Sequence, residues 1–224
     1  MRRSLAVSVL SAAIVLFTVS AAEAATCAST FGSGDSYGTP AWVVRGSGAG
    51  PKFDEAFSFT PSVDCGVGTI DLAFHLESGP NGLSISVVED SAGLPGGTVV
   101  ESTTVIDQMT TDTGGSVVVG TFSGVEVLSG GTTYWIVVEA EPGTGGTSAV
   151  WHQNDQGLTS VRGFRQSDGS WQGFAGNSDG AYRVSSLPPV PAVPSLSPWS
   201  LVAMGAVLAF LGSRPLLTRS AKVR

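Results

Sequence analysis

Residues 70–76 read Ile70-Asp71-Leu72-Ala73-Phe74-His75-Leu76, with an apolar side chain at every even position. The odd positions hold Asp, Ala and His. Because successive side chains of a β-strand point to opposite faces, this alternation predicts a strand with one buried face and one face toward water. The same period returns in Leu83-Ser84-Ile85-Ser86-Val87. The middle of the chain is therefore expected to consist of strands.

Outward from these two segments, short apolar runs recur at regular intervals and are separated by Gly- and Pro-containing turn formers. Strands are predicted at 41–45, 56–60, 69–76, 83–89, 98–106, 116–122, 133–139 and 148–153, with weaker ones at 158–164 and 181–184. Turns are predicted at 79–82, 94–97, 113–115, 129–131 and 142–146. Two sheets bury many one-sided strands compactly, so the fold class predicted for 25–187 is all-β, an antiparallel β-sandwich of jelly-roll type.

The N-terminal segment has the organisation of a signal peptide. Arg2 and Arg3 precede an apolar run from Leu5 to Val19, and Ala22-Glu23-Ala24 fits a small-residue cleavage site. Residues 1–24 are therefore expected to form a signal helix that is removed on export. Acylation of Cys27, as in a lipoprotein, is the alternative, but Thr26 is bulky for the position before a lipidated cysteine.

The chain has two cysteines, Cys27 and Cys65. In the oxidising compartment that export implies, they are expected to pair. Closing this loop would contribute about 4 kcal/mol in the chain-entropy model. Two unpaired thiols are the alternative.

The C-terminus combines a proline-rich stalk, an apolar segment and a basic tail. The stalk, 188–194, favours an extended polyproline conformation. Residues 199–212 are apolar apart from Ser200, and Arg214, Arg219, Lys222 and Arg224 follow; this pattern predicts a membrane-anchor helix with its basic end in the cytoplasm. About 14 residues reach about 21 Å, short of a bilayer core of about 30 Å, which suits an anchor that is held briefly and then cut.

From Phe53 to about Val184 the chain resembles the "choice-of-anchor" ectodomains, β-sandwich modules that bacteria attach to their surface through interchangeable C-terminal signals. The residues that carry the resemblance are Glu89-Asp90-Ser91-Ala92-Gly93-Leu94-Pro95-Gly96, the segment Leu128-Ser129-Gly130-Gly131-Thr132-Thr133-Tyr134-Trp135-Ile136-Val137, and Trp151. The resemblance implies an architecture and a surface location, and it implies no reaction.

Residues 193–224 resemble the IPTL-CTERM sorting signal, a relative of the PEP-CTERM signals. The resemblance implies an exosortase-type membrane protease as partner. Its residues here are Val193, Pro194, Ser195, Leu196, Trp199 and Arg214. The chain departs from the usual Ile-Pro-Thr-Leu at Val193 and Ser195, and Pro198 precedes the tryptophan, which bears on the identity of the processing enzyme. An ordinary C-terminal membrane tail is the alternative.

The chain is acidic, with a net charge of −7, and it shows no basic stripe, so nucleic acid is not expected as a partner. Several patterns formally match catalytic or metal sites, and each has a structural reading that we favour. They are the Gly34-Asp35-Ser36-Tyr37-Gly38 match to a nucleophile elbow, the Glu139/Glu141 carboxylate pair, the histidines His75 and His152, and the Asp168-Gly169 and Asp179-Gly180 turns as calcium loops. No metal, cofactor or catalytic residue is predicted.

Trp151 and Trp171 are the candidate binding residues. Flat aromatic rings stack on sugar rings, and Gln153, Asn154 and Gln172 lie nearby to bond hydroxyl groups; burial in the core is the favoured alternative. The sequence thus predicts an exported, non-enzymatic component of the cell surface or extracellular matrix. A glycan-binding or adhesion module with extracellular polysaccharide as partner comes second, and a secreted hydrolase third.

Overall fold

The computed structural model describes residues 24–188, which form thirteen strands and one short 3-10 turn. The strands are β1 (Thr26–Ser29), β2 (Pro40–Arg45), β3 (Phe53–Phe59), β4 (Cys65–Ser78), β5 (Gly82–Ser91), β6 (Leu94–Ile106), β7 (Ser116–Thr121), β8 (Val127–Leu128), β9 (Tyr134–Ala140), β10 (Ser148–His152), β11 (Thr159–Gln166), β12 (Gln172–Ser178) and β13 (Tyr182–Ser186). The predicted signal helix, anchor helix and sorting signal lie outside the described residues. Within residues 24–188, no helix has the length and apolar composition needed to cross a membrane.

The strands pair throughout in antiparallel ladders, which confirms the all-β, antiparallel class. One run of neighbours is β1-β13-β4-β10-β2, with β7 and β8 also paired to β4. A second run is β12-β11-β3-β9-β5-β6. A single residue pair, Arg45 with Phe53, joins β2 of the first run to β3 of the second.

Buried side chains from both runs form one main hydrophobic cluster. Its members include Val44, Leu72, Phe74 and Trp151 from the first run and Phe57, Ile85, Ile136 and Val138 from the second. A smaller cluster, which consists of Ala56, Val88, Trp135 and Val137 with Val161 and Trp171 packed against it, lies apart. Ala56 and Phe57 are neighbours on β3 and belong to different clusters, because side chains alternate along a strand. We call the face of β3, β9 and β11 toward the main cluster the inner face, and the other the outer face.

All ten predicted strands are present, and the alternation in 83–87 is confirmed, since Leu83, Ile85 and Val87 are buried and the two serines are not. The prediction for 70–76 was wrong about one face. Asp71, Ala73 and His75 are as buried as their apolar neighbours. Arg183 is hydrogen-bonded to Asp71, and His152 to His75, so polar side chains rather than water face the second side of β4.

The predicted turn at 94–97 was also wrong, because these residues belong to β6. The reversal occurs at Ala92 and Gly93, whose φ angles are 55° and 81°. Three strands were not predicted: β1, β8 and β12. The predicted Cys27–Cys65 disulfide is present, with the two Cα atoms 6.1 Å apart. Both alternatives are therefore wrong for this fold. The two cysteines are not free thiols, and the Cys27 sulfur, being part of the disulfide, cannot also carry a lipid.

Candidate functional site

The outer face of β3, β9 and β11 carries a cluster of charged side chains at one end of the small hydrophobic cluster. Asp54 lies two residues before Ala56 on β3, and Glu139 lies two residues after Val137 on β9, so both share a face with apolar residues of the small cluster. Arg165 of β11 is the cross-strand partner of Asp54. Directly opposed residues on one face of a sheet interact, which brings this arginine to the carboxylates.

Ion pairs link these residues into one network. Arg165 donates from Nε to Asp54 Oδ2 at 2.9 Å and from Nη2 to Glu139 Oε1 at 2.5 Å. Lys52 Nζ lies 2.6 Å from Asp168 Oδ1 and 3.4 Å from both Asp54 Oδ2 and Glu139 Oε1. We call Lys52, Asp54, Glu139, Arg165 and Asp168 the outer ion cluster; each of its two cations serves more than one carboxylate.

Asp54 is the least satisfied member of the outer ion cluster. Its side chain is fully buried, and its Oδ1 has no hydrogen-bond partner among the described residues. Burial, followed by the nearby charge of Glu139, raises the pKa of Asp54 to about 6, although Arg165 and Lys52 oppose the shift. At the solvent side, the hydrogen bond from Lys52 lowers the pKa of the exposed Asp168 carboxyl. The cluster therefore runs from a buried carboxyl to a solvated one.

Trp171 stands beside this cluster, and the guanidinium of Arg165 lies 4.6 Å from the centre of its ring. Two depressions share Glu139 as a lining residue. One, of about 200 Å³, is lined by apolar and small residues of β5, β6 and β9 together with Glu139, Arg165 and Trp171. The other, of about 330 Å³, is lined by Lys52, Glu139, Glu141, Asp168 and the loops around Gly46 and Gly145. We call the two depressions together the outer groove.

Trp151, the other predicted binding residue, has no exposed surface. Its ring is stacked with Phe74 and meets Phe57 edge-on, and its Nε1 donates to the Ala181 carbonyl at 3.0 Å. Gly180 explains the close packing, since a Cβ atom there would lie 2.5 Å from the indole Cε2. A sugar ring has no access to this indole, so the glycan-contact hypothesis rests on Trp171 alone.

The two patterns that formally match catalytic sites are Ser36 in its Gly-rich segment and the Glu139/Glu141 pair. Ser36 lies in the loop between β1 and β2 and is followed by a strand, whereas a nucleophile elbow requires a strand-to-helix turn. Glu139 and Glu141 line the same depression, but Glu139 is engaged by Arg165 and Lys52. Glu141 lies just beyond the end of β9.

The two histidines are buried and bonded to each other. His75 Nδ1 lies 3.1 Å from His152 Nε2, and His152 Nδ1 lies 3.0 Å from the Gly38 carbonyl oxygen. That carbonyl can only accept, which assigns the proton of neutral His152 to Nδ1 and makes its Nε2 the acceptor for His75. Burial, together with the neighbouring His75, lowers the pKa of His152 and so favours its neutral form.

The Asp-Gly turns differ from each other. Asp168 occupies a tight turn between β11 and β12 with φ of 58°, as expected for a hairpin. Asp179 lies between β12 and β13, which do not pair with each other, so its turn is not a hairpin. Its side chain is buried and accepts a hydrogen bond from Ser160 Oγ at 2.6 Å. Among the described residues, no three His, Cys, Asp or Glu side chains are grouped so that they could hold a metal ion.

Sequence reasoning missed Asp54, Lys52 and Arg165 as site residues. The spacing of Arg162, inside the predicted strand 158–164, and Arg165, just after it, was an available signal. In a strand that continues to Arg165, residues three apart lie on opposite faces, so one of the two arginines must face away from the core. A scan of the chain against protein-family models finds no match, and a search of curated proteins finds no significant match either. The site is therefore interpreted from its own geometry.

Proposed function

We propose that this chain is an exported, non-enzymatic protein of the cell surface or extracellular matrix, sorted through its C-terminal signal and processed there by an exosortase-type protease. The Cys27–Cys65 disulfide is the observation that carries the proposal. Disulfides form and persist in oxidising compartments outside the cytosol. The apolar N-terminal run and the small residues at 22–24 supply the export signal that such a compartment requires.

The position of the disulfide also suits anchoring through the C-terminus. β13 is the last strand before the proline-rich stalk, and it pairs with β1 on one side and β4 on the other. Cys27 lies in β1 and Cys65 begins β4. The strand that leads to the proposed anchor is thus held between two strands that are covalently joined, which would resist its removal when the anchor is pulled.

Within this proposal the ectodomain is an antiparallel β-sandwich of jelly-roll type. Two observations support it: the two runs of strands meet through one residue pair, and side chains from both runs contribute to one main cluster. A non-enzymatic role is supported by the engagement of the acidic groups. Asp54 has no exposed surface and is held by Arg165, so a substrate has no access to this carboxylate.

The test is an intact-mass measurement of the protein recovered from the cell envelope and from the medium. We expect an N-terminus at Ala25, the mass of one disulfide, and loss of everything beyond the proline-rich stalk. A Pro194→Ala, Leu196→Ala double variant should keep its tail, whereas Pro191→Ala, a matched change in the stalk, should be processed normally. Recovery of most wild-type molecules with Arg224 intact would contradict sorting, and cytosolic protein that keeps Met1 would contradict export.

A further inference from the structure

We propose that the outer groove binds a neutral polysaccharide chain, with Trp171 as the stacking surface and Arg165 and Glu139 as the hydroxyl-binding groups. This inference goes beyond surface display and does not depend on how the chain is sorted. It starts from the residue that the two depressions have in common. The two depressions share Glu139, so one extended ligand that crosses this residue would contact both.

The groove offers the mixture of surfaces that a sugar requires. Sugar rings have apolar C–H faces and polar edges, so a binding site needs an aromatic ring next to donors and acceptors. Trp171 supplies the ring, and Val88 and Val137 extend the apolar floor. Glu139 supplies acceptor oxygens, and Ser86 supplies a hydroxyl that both donates and accepts.

Arg165 supplies the donors. A guanidinium carries five N–H groups, and the hydrogen bonds of Arg165 within residues 24–188 engage Nε and Nη2. The two N–H groups of Nη1 are therefore left for a ligand or for water. Asp54, Glu139 and the ring of Trp171 all contact the guanidinium and hold it in place. A binding group that is fixed before the ligand arrives loses little conformational entropy on binding.

The charges around the groove select against acidic ligands. Lys52 and Arg165 form ion pairs with the carboxylates of Asp54, Glu139 and Asp168, so three carboxylates meet two cations. Among the described residues, Oδ1 of buried Asp54 has no hydrogen-bond partner, and it adds to the negative potential here. The whole chain carries a net charge of −7. A uronic-acid polymer would meet repulsion here, whereas a neutral polymer would not.

The proposal is tested by affinity electrophoresis of the mature protein in native gels that contain dextran, xylan or glucomannan, with alginate as the acidic polymer. We expect retardation by at least one neutral polymer and none by alginate. Trp171→Leu should weaken binding by about tenfold or more, as removal of a central aromatic contact does. Trp171→Phe, which keeps an aromatic ring, should stay within about threefold of the parent protein.

Two controls keep the result interpretable. Phe174→Leu removes an exposed aromatic side chain that contacts Arg162 rather than Arg165, and it should bind as the parent does. Thermal unfolding of each variant separates lost binding from lost folding. Absence of retardation in all three neutral gels, equal binding by folded Trp171→Leu, or equal retardation by alginate would overturn the proposal. None of these outcomes tests the proposed export or tail processing, because those are tested separately by intact-mass measurement.

Discussion

Two arginines of β11 point to opposite faces of the same sheet, and each meets a carboxylate of β3 in a different setting. Arg162, on the inner face, donates to Glu55 from Nε at 2.7 Å and from Nη2 at 2.6 Å. Its guanidinium also lies 4.2 Å from the centre of the Trp42 ring. Arg165, on the outer face, divides its hydrogen bonds between Asp54 and Glu139.

The inner pair of Arg162 and Glu55 is buried with its charges balanced, whereas the outer ion cluster is partly exposed and has an excess of carboxylates. Glu55 is 1% exposed and its two oxygens each accept one bond from a single arginine, so the charges are matched one to one. In the outer cluster, two cations contact three carboxylates, and the buried Oδ1 of Asp54 has no hydrogen-bond partner within residues 24–188. The same residue types therefore have two uses here: the inner pair fixes β11 against β3, and the outer cluster keeps donors and acceptors at the surface of a groove.

The largest expected effect comes from breaking the inner pair. Arg162→Ala leaves the Glu55 carboxylate buried without its partner, and loss of one member of a buried ion pair costs about 3 to 5 kcal/mol. We expect a decrease of this size in the free energy of unfolding, measured by urea denaturation at pH 9, where Glu55 is ionised in the parent protein. The double variant Glu55→Leu, Arg162→Met replaces the pair by apolar side chains and should recover most of the loss. A loss below about 1 kcal/mol in Arg162→Ala would show that the pair behaves as a solvent-exposed ion pair.

A smaller effect is expected from titration of the inner carboxyl. Burial raises the pKa of Glu55 to about 7, and the hydrogen bond from Arg162 only partly offsets this. Since the ordinary pKa is 4.5, the folded protein binds a proton more tightly than the unfolded chain does. The cost of burying Glu55 is therefore absent below about pH 4.5, grows as the pH rises to about 7, and is constant above it.

The measurement compares the parent protein with Glu55→Gln, which does not titrate. The parent should gain about 2 to 3 kcal/mol of unfolding free energy relative to Glu55→Gln when the pH falls from 7.5 to 4.5. His152 works in the opposite direction, because its pKa is lowered and its protonation destabilises the folded state. It is present in both proteins and cancels from the difference. A difference that stays constant with pH would contradict the raised pKa of Glu55.

The strands were predictable because their signal is local. Alternating apolar residues and Gly-containing turns lie next to each other in the sequence, and all ten predicted strands are found. The three missed strands lack that signal: β8 has two residues, β1 has one buried residue, and β12 is largely exposed. The turn at 94–97 was misplaced because Gly and Pro are typical of turns, whereas here residues 94–95 pack against β11 and β12.

The site was less predictable because it depends on which strands become neighbours. Trp171 was identified because it is a tryptophan. The residues around it come from β3, β9 and β11, which are separate segments of the sequence. β3 was predicted to begin at Ala56 but begins at Phe53, so Asp54 and Glu55 were not seen as strand residues on opposite faces. Burial of Trp151 likewise depends on Gly180 from another part of the chain.

The smallest expected loss of stability is that of Arg165→Gln. Its dependence on salt concentration distinguishes the two faces most directly. Arg165→Gln removes one cation from the outer cluster, but Lys52 remains 3.4 Å from Asp54, and Asp54 can take up a proton near pH 6. We therefore expect a loss of only about 1 to 2 kcal/mol at pH 7.5. Arg165 and Glu139 are 24% and 30% exposed, so salt screens their interaction.

Raising NaCl from about 0.05 to about 0.5 M should reduce the loss in Arg165→Gln by about half, because the Debye length falls below the dimensions of the cluster. The loss in Arg162→Ala should stay nearly unchanged, since the 1% exposed Glu55 is shielded from ions by the protein. Urea denaturation of both variants at the two salt concentrations provides the measurement. Equal salt dependence would mean that the two faces are equally accessible to solvent. Solvent access would then give no reason to place a ligand at the outer cluster rather than at the inner pair.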